Sequence, residues 1–592
     1  MKTRVDELLN EMTLAEKIGQ MTQADKRALQ PADVTRWFIG SILSGGGSNP
    51  APNNPQTWAG MVADYQEAAL RTRLGIPLVY GVDAVHGHSN VVGATIFPHN
   101  IGLGATRDST LVERIGRATA LETSATGVFW NFAPCVAVPQ DIRWGRTYEG
   151  YGSDPGLVAE LGAACLRGLQ GELGAPGTNL GCPKHFVGDG GTGWGTTQQY
   201  EWLSDSWQAA DDRYKIDQGD TQVDEVTLRR IHLKPYLTAI ENGARSIMVS
   251  FSSWNGAKMH GHRYLLTDVL KSELGFDGFL VSDWRAIDQL SPDYYSCVVN
   301  SVNAGLDMIM VPFEYERFIT TLTKAVEAGD VPLERVDDAV RRILTVKEAL
   351  GLFQRTAAQE PSPAILGADE HRQLAREAVR KSLVLLKNDD DTLPLAQDVA
   401  RLIVAGPAAD SVGLQCGGWT IEWLGGEGDI TPGVTILEAV QQVVSAETMV
   451  DYSPKGNFSD EAEADVGLVC LHEAPYAEGV GDRADLHLTG EQVSLLHRVR
   501  DRCRRMVVIL ISGRPLIITE QLPLADAWLA AWLPGTEAQG IADVLFGDHP
   551  PRGKLSYAWP RTMGQIGTAD DASAPVSDED ALFPFGYGLT FE

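Results

Sequence analysis

Basic residues are scarce in this chain: 49 Lys and Arg stand against 78 Asp and Glu, a formal net charge of −29. That balance argues against nucleic acid as a partner, because phosphates call for a basic surface. It also disfavours anionic membranes, and no apolar run is long enough to span a bilayer. The N-terminus, MKTRVDELLNEMTLAEKIGQM, carries a charge every few residues and no apolar stretch resembling a signal sequence. The seven cysteines, an odd number scattered from Cys135 to Cys503, form neither a disulfide framework nor a paired CxxC site. Together these absences point to a cytoplasmic chain, or to a secreted one if a leader has been removed ahead of Met1. Motifs of other enzyme classes are missing too. The Gly-rich turn GGGSNP (45–50) lacks the GK[ST] of a phosphate loop, and there is no HExxH and no GxSxG. His86 and His88, two residues apart in a turn with no third ligand marked, make a poor metal site and read better as structural or substrate-binding residues.

What is present is length and alternation. At 592 residues the chain exceeds one ordinary domain, and its 44% hydrophobic and 21% charged content is that of a soluble globular protein. Thr13 and Glu16 have the spacing of a capping box at the start of an amphipathic helix. Strand-like runs at 76–87, 129–138, 182–191, 245–254, 278–284 and 306–312 alternate with helical patterns such as 110–126 and 155–172. Such alternation predicts a mostly parallel α/β sheet, and about 350 residues of it fit one closed (β/α)8-type barrel with insertions. A periodic helix at 333–353 ends near Gly351, and the Pro- and Ala-rich stretch after it reads as a linker. A second β/α series follows, with strands expected near 382–388, 400–406, 465–473, 504–513 and 526–535, as an open sheet with helices on both faces. The expected domains are therefore 1–353 and 376–592, with 354–375 between them.

In parallel α/β folds, reactive groups gather beyond the carboxyl ends of the strands. Here those ends carry Asp83 and His86, then Arg143, Arg146 and Glu149, then Lys184, His185 and Asp189, and finally Asp283 in DGFLVSDWRAIDQL (277–290). Singly, each could be an ion pair, and Asp283 could be a helix cap. Together they form a polar set suited to sugar hydroxyls, which need both donors and acceptors. Trp254, Trp284, Trp419 and Trp423 offer flat apolar faces for sugar rings, with core packing the expectation for Trp254.

The stretches YGVDAVHGHSNVVGATIFPHNIGLGATRD (80–108), DIRWGRTYEGYGSD (141–154), KHFVGDGGT (184–192), MVSFSSWNGAKMH (248–260), GFLVSDWRAID (278–288), CGGWTIEW (416–423), HEAPYAEGVGD (472–482), ISGRPL (511–516), AAWLPGTEAQGIADVLFGD (530–548) and FPFGYGLTF (583–591) occur in this order. With them the chain resembles the β-glucosidases and exo-β-glucanases of glycoside hydrolase family 3 over nearly its whole length. The resemblance implies a TIM-like barrel followed by a six-stranded α/β sandwich, with the active site where the two meet. It also implies Asp283 as nucleophile and Glu473 as general acid/base, with Glu478 the competing candidate. Asp83, Arg146, Glu149, Lys184 and His185 would bind the sugar, Met248 and Phe251 would line its site, and Trp284 and Trp419 would sandwich the sugar of the next subsite. The implied reaction is a retaining double displacement releasing glucose from a β-glucoside or β-gluco-oligosaccharide, with carboxyl groups roughly 5–5.5 Å apart and with no metal and no organic cofactor required. The alternatives are a β-xylosidase or related β-glycosidase, or a noncatalytic sugar-binding protein, which would be expected to have lost one carboxylate. Departures from the family pattern are a long insertion at 193–216, with Trp194, Trp202 and Trp207, Gln218 where an acidic helper is often found, and Phe251 where tyrosine is common. The insertion is expected at the rim of the active site. Oligomeric state and linkage preference are left open.

Overall fold

The structure, a computed structural model, describes residues 3–203, 212–459, 462–567 and 576–591. It divides into two compact units. Unit 1 comprises Met1–Val91, Val112–Ala137 and Gly162–Leu366, and unit 2 comprises Val92–Leu111, Val138–Leu161 and Gly367–Glu592.

Unit 1 is a closed barrel of eight short strands. They are β1 (Thr22–Asp25), β2 (Ser41–Ser44), β3 (Val79–Val82), β4 (Trp130–Asn131), β5 (Leu180–Gly181), β6 (Ser246–Met248), β7 (Phe279–Val281) and β8 (Ile309–Met310). Parallel pairing runs from β8 through β1 to β5, and again between β6 and β7. Parallel bridges Phe186↔Val249 and Val281↔Met308 close the ring. The strands are buried, as a barrel interior filled by side chains requires, although β1 (Thr-Gln-Ala-Asp) is mostly polar. The strand expected at 129–138 is confined to β4, and in place of the one expected at 182–191 the ladder holds β5, just ahead of that run; Pro134 and Pro183, which bring no N–H to a ladder, follow β4 and β5 closely. The capping box forms as spaced: the Thr13 hydroxyl accepts the Glu16 N–H and the Glu16 carboxylate accepts the Thr13 N–H. The helix expected at 333–353 spans Leu333–Ala349.

Unit 2 is built on a six-stranded sheet: β9 (Val384–Asn388), β10 (Arg401–Ala405), β11 (Met449–Ser453), β12 (Ala464–His472), β13 (Cys503–Ile511) and β14 (Ala527–Trp532). Their order is β9-β14-β13-β12-β10-β11, all parallel except the β9–β14 pair. β12 and β13 are nearly continuous apolar runs, as strands covered on both faces should be. Strand order reverses between β10 and β12, and the crevice beyond the carboxyl ends of such a pair is where open α/β sheets bind ligands. Two stretches inside the expected first domain, 92–111 and 138–161, pack with this unit. The close approach of Gly104, whose Cβ would meet the Tyr151 carbonyl oxygen at 1.7 Å, is one reason they travel together. The unit boundary at Leu366/Gly367 falls inside the expected linker, and the helix Asp369–Ser382 begins before that linker's expected end.

Candidate active site

The barrel places one cluster at the carboxyl ends of its strands. Asp83 follows β3 and accepts from the Lys184 ammonium at 2.8 Å, the lysine side chain being only 2% exposed. The pair compensates two charges that could not be buried singly. His185, next along the chain, holds the Asp189 carboxylate at 2.9 Å through Nδ1, and its Nε2 stands 3.7 Å from Asp283 Oδ2. Asp283 follows β7, is 8% exposed, and receives its neighbour's backbone N–H, from Trp284, on Oδ1 at 2.7 Å. The capping alternative fails on this bond: the carboxylate turns back on the adjacent amide, and the short helix Ala286–Gln289 has no side-chain cap. Met248 ends β6 fully buried, and the Phe251 ring lies 6.1 Å from that of His260. Trp284 is backed by Arg27, whose guanidinium lies 5.7 Å from the indole, and it meets Phe313 edge-on at 5.6 Å.

Unit 2 carries the second cluster. Arg146 and Glu149 form a bidentate pair at 2.9 and 2.8 Å, both almost wholly buried. Trp419 donates its indole N–H to the same Glu149 at 3.1 Å, and the Arg146 guanidinium lies 5.9 Å from the Trp419 ring. Glu478 stands 3.5 Å from Arg146. Glu473 follows β12 directly, and Trp419 lies in the loops beyond β10, so both come from the two strands at the reversal of order. The Glu473 carboxylate accepts from the Tyr476 hydroxyl at 3.0 Å, the Gly513 N–H at 3.1 Å, Arg514 Nε at 3.2 Å and Arg483 at 3.5 Å. Burial pulls the Arg514 guanidinium down, but Glu473 beside it outweighs that and holds it above its ordinary value. Burial above all pushes the Tyr476 hydroxyl far above the usual range, so it stays a donor. The backbone is left-handed at Trp419 (φ +60°) and Glu478 (φ +52°), a conformation that costs ordinary residues about 1–2 kcal/mol and that functional loops retain. Two glycines permit this crowding. A Cβ on Gly418 would stand 2.0 Å from the Tyr476 carbonyl oxygen, and one on Gly145 would stand 1.9 Å from that of Glu478.

The sequence-expected residues thus fall into two groups, with Asp83, Lys184, His185, Met248, Phe251, Asp283 and Trp284 in unit 1 and Arg146, Glu149, Trp419 and Glu473 in unit 2. Sequence reasoning missed His260, whose Nε2 accepts the Asp283 N–H, and Arg514 and Tyr476, which hold Glu473. The chain stretch ISGRPL (511–516) was the one signal for Arg514. In the insertion, Trp202 is 44% exposed and donates to the Asp288 carbonyl oxygen at 3.0 Å. Gln198, Tyr200 and Trp202 line a cleft of about 570 Å³ with Gln289, Asn300 and Asn303, and none of the expected site residues lines it. Trp207 lies outside the described residues.

The glycosyl hydrolase family 3 N terminal domain matches residues 13–346, and the glycosyl hydrolase family 3 C-terminal domain matches residues 383–591. The lysosomal beta glucosidase of Dictyostelium discoideum is 33% identical over 644 residues, covering 100% of this chain and 76% of its own. A beta-xylosidase of Formosa agariphila is 31% identical over 624 residues, covering 94% and 83%. Among solved structures, the exo-1,3/1,4-beta-glucanase from a Pseudoalteromonas species superposes with a TM-score of 0.90 at 41% identity, covering 99% of this chain and 74% of that one.

Proposed function

The chain belongs to glycosyl hydrolase family 3 and is a glycoside hydrolase, and from that premise we propose that it is an exo-acting β-glucosidase in which Asp283 is the nucleophile and Glu473 the general acid/base. Asp283 attacks the anomeric carbon while the bond to the leaving oxygen breaks, and Glu473 gives that oxygen its proton. Water then attacks the same carbon, Glu473 takes the water's proton, and the bond to Asp283 breaks, so that glucose leaves in the β configuration.

The other polar groups bind the non-reducing glucose. Asp83 accepts from sugar hydroxyls while Lys184 and His185 donate, and the Asp83–Lys184 and His185–Asp189 bonds hold these side chains in fixed rotamers before substrate arrives. Arg146 and Glu149 add a further donor and acceptor, and Trp284 and Trp419 offer ring faces to the sugar beyond the cleaved bond. Met248 and Phe251 supply apolar lining. The observation that carries the reading is the buried Asp283 carboxylate at the end of β7, 3.7 Å from His185 and at the same strand ends as the Asp83–Lys184 pair.

Hydrolysis of aryl β-glucoside and aryl β-xyloside by the purified chain tests the proposal. It predicts turnover of the glucoside, with a kcat/KM higher than for the xyloside. No hydrolysis would favour a sugar-binding role, and a preference for the xyloside would reassign the sugar.

A further inference from the structure

The main chain of the Asp283 segment is held in an unusual way. Ser282 still donates its N–H into the barrel ladder, to the Met308 carbonyl oxygen at 3.0 Å. The N–H of Asp283 itself goes to a side chain, His260 Nε2, at 3.0 Å. To accept there, the imidazole must be neutral with its proton on the other nitrogen. His260 meets both conditions. It is 1% exposed, and burial first, then the nearby Lys258 charge, hold its pKa down at about 3, against a hydrogen bond with the Ser250 backbone. That bond fixes the tautomer, leaving the Nε2 lone pair for Asp283.

Local sequence explains why His260 stands there. Asn255 and Gly256 both adopt positive φ, as a two-residue hairpin turn demands, and join Ser253–Trp254 to Ala257–Lys258. The segment after the hairpin is tethered twice more: Met259 donates its N–H to the Ser252 carbonyl oxygen at 3.1 Å, and Lys258 Nζ donates to the carbonyl oxygens of Phe251 at 2.8 Å and Gln218 at 3.2 Å. His260 therefore links the end of β6, through Ser250, to the end of β7.

We propose that His260 is a positioning residue for the nucleophile: its Nε2 pins the main-chain amide of Asp283 and so fixes where the carboxylate stands as it attacks. The inference rests on the reading of Asp283 as nucleophile. It adds a requirement that the reading alone does not make, an acceptor at the position of Nε2.

Three substitutions separate the two hydrogen bonds of the ring. His260→Gln restores an acceptor near the Nε2 position. His260→Asn keeps a donor toward Ser250 but reaches Asp283 with nothing, and His260→Leu removes both. For an aryl β-glucoside, the Asn and Leu variants should lose roughly 10- to 100-fold in kcat, as a misplaced reacting group does, with KM nearly unchanged. The Gln variant should recover most of that loss. Inactivation by a 2-fluoro β-glucoside should slow in the same order, with peptide mapping of the label and a melting curve for each variant. Equal rates for the Asn and Gln variants, with the label on Asp283, would overturn the role of His260 while leaving the nucleophile in place. A label on another carboxylate would overturn both. If the Leu variant does not fold, the Asn-to-Gln comparison decides alone.

Discussion

Replacing Glu473 by alanine should separate the substrates of this enzyme by leaving group. The carboxylate that protonates the departing oxygen contributes about 10²–10⁴-fold in rate, and only where the leaving group needs the proton. Alkyl β-glucosides and β-gluco-oligosaccharides should therefore lose that factor in kcat/KM, whereas a dinitrophenyl β-glucoside should keep nearly all of its first-step rate. Its second step should become rate-limiting, because no base remains to activate water. Azide, which needs no base, should then restore turnover and yield β-glucosyl azide. The structure also sets a cost in stability. Alanine leaves the fully buried Arg514 without its carboxylate, a loss of about 3–5 kcal/mol when nothing compensates. Arg514 keeps its bonds to the carbonyl oxygens of Arg143 at 2.9 Å and Gly481 at 2.6 Å, so the lower end, about 3 kcal/mol, is expected. The assays are kcat/KM across leaving groups, product analysis with azide, and a melting curve. If Glu478→Ala gave the leaving-group and azide pattern and Glu473→Ala did not, the assignment from β12 would be wrong.

Two further outcomes follow from buried groups and close packing. In unit 1, burial lowers the pKa of His88 to about 3, of His232 to about 4 and of His260 to about 3, from 6.5. These histidines stay neutral in the fold while the unfolded chain takes up protons below pH 6.5, so the stability they contribute is complete above 6.5 and is lost as pH falls toward 3. At about 1.36 kcal/mol per proton and pH unit, three such groups give a slope of up to about 4 kcal/mol per pH unit near pH 5, read as a falling melting temperature. A melting temperature constant from about pH 7 to about pH 4.5 would contradict it. Gly145→Ala forces a Cβ onto the carbonyl oxygen of Glu478 and within 2.8 Å of Gly481, whose carbonyl holds Arg514. Overpacking of this kind costs about 1–3 kcal/mol, and kcat/KM should fall with the melting temperature; unchanged values for both would refute the close approach.

Much of this architecture is legible in the residues because local rules and global fold agree. The strand at 278–281 ends in Ser-Asp-Trp, and the structure puts Asp283 at the carboxyl end of β7 with its side chain buried. Glu473 follows an apolar run in the same way. Arg146 and Glu149 are harder to place. Their chain position lies among the barrel strands, but they pack in unit 2, because the contacts that decide this lie more than 250 residues away, as the Trp419–Glu149 bond shows. His260 closes the stretch MVSFSSWNGAKMH, but nothing within that stretch shows which group it bonds. Its role depends on a hairpin that folds back from β6 toward β7, and only the Asn-Gly turn hints at it. β4 and β5 each stop just before a proline, Pro134 and Pro183, a signal present in the sequence but masked at 129–138 by hydrophobicity.

Covalent chemistry at one carboxylate tests the nucleophile most directly. Incubation with a 2-fluoro β-glucoside bearing a dinitrophenyl leaving group should release one phenolate per chain and leave a glucosyl ester, because the fluorine slows both steps while the good leaving group restores the rate of the first alone. Proteolysis and mass spectrometry should find the ester on Asp283, and Asp283→Asn should neither release the burst nor carry the label. An ester on any other carboxylate, or hydrolysis that yields α-glucose as its first product, would contradict the account.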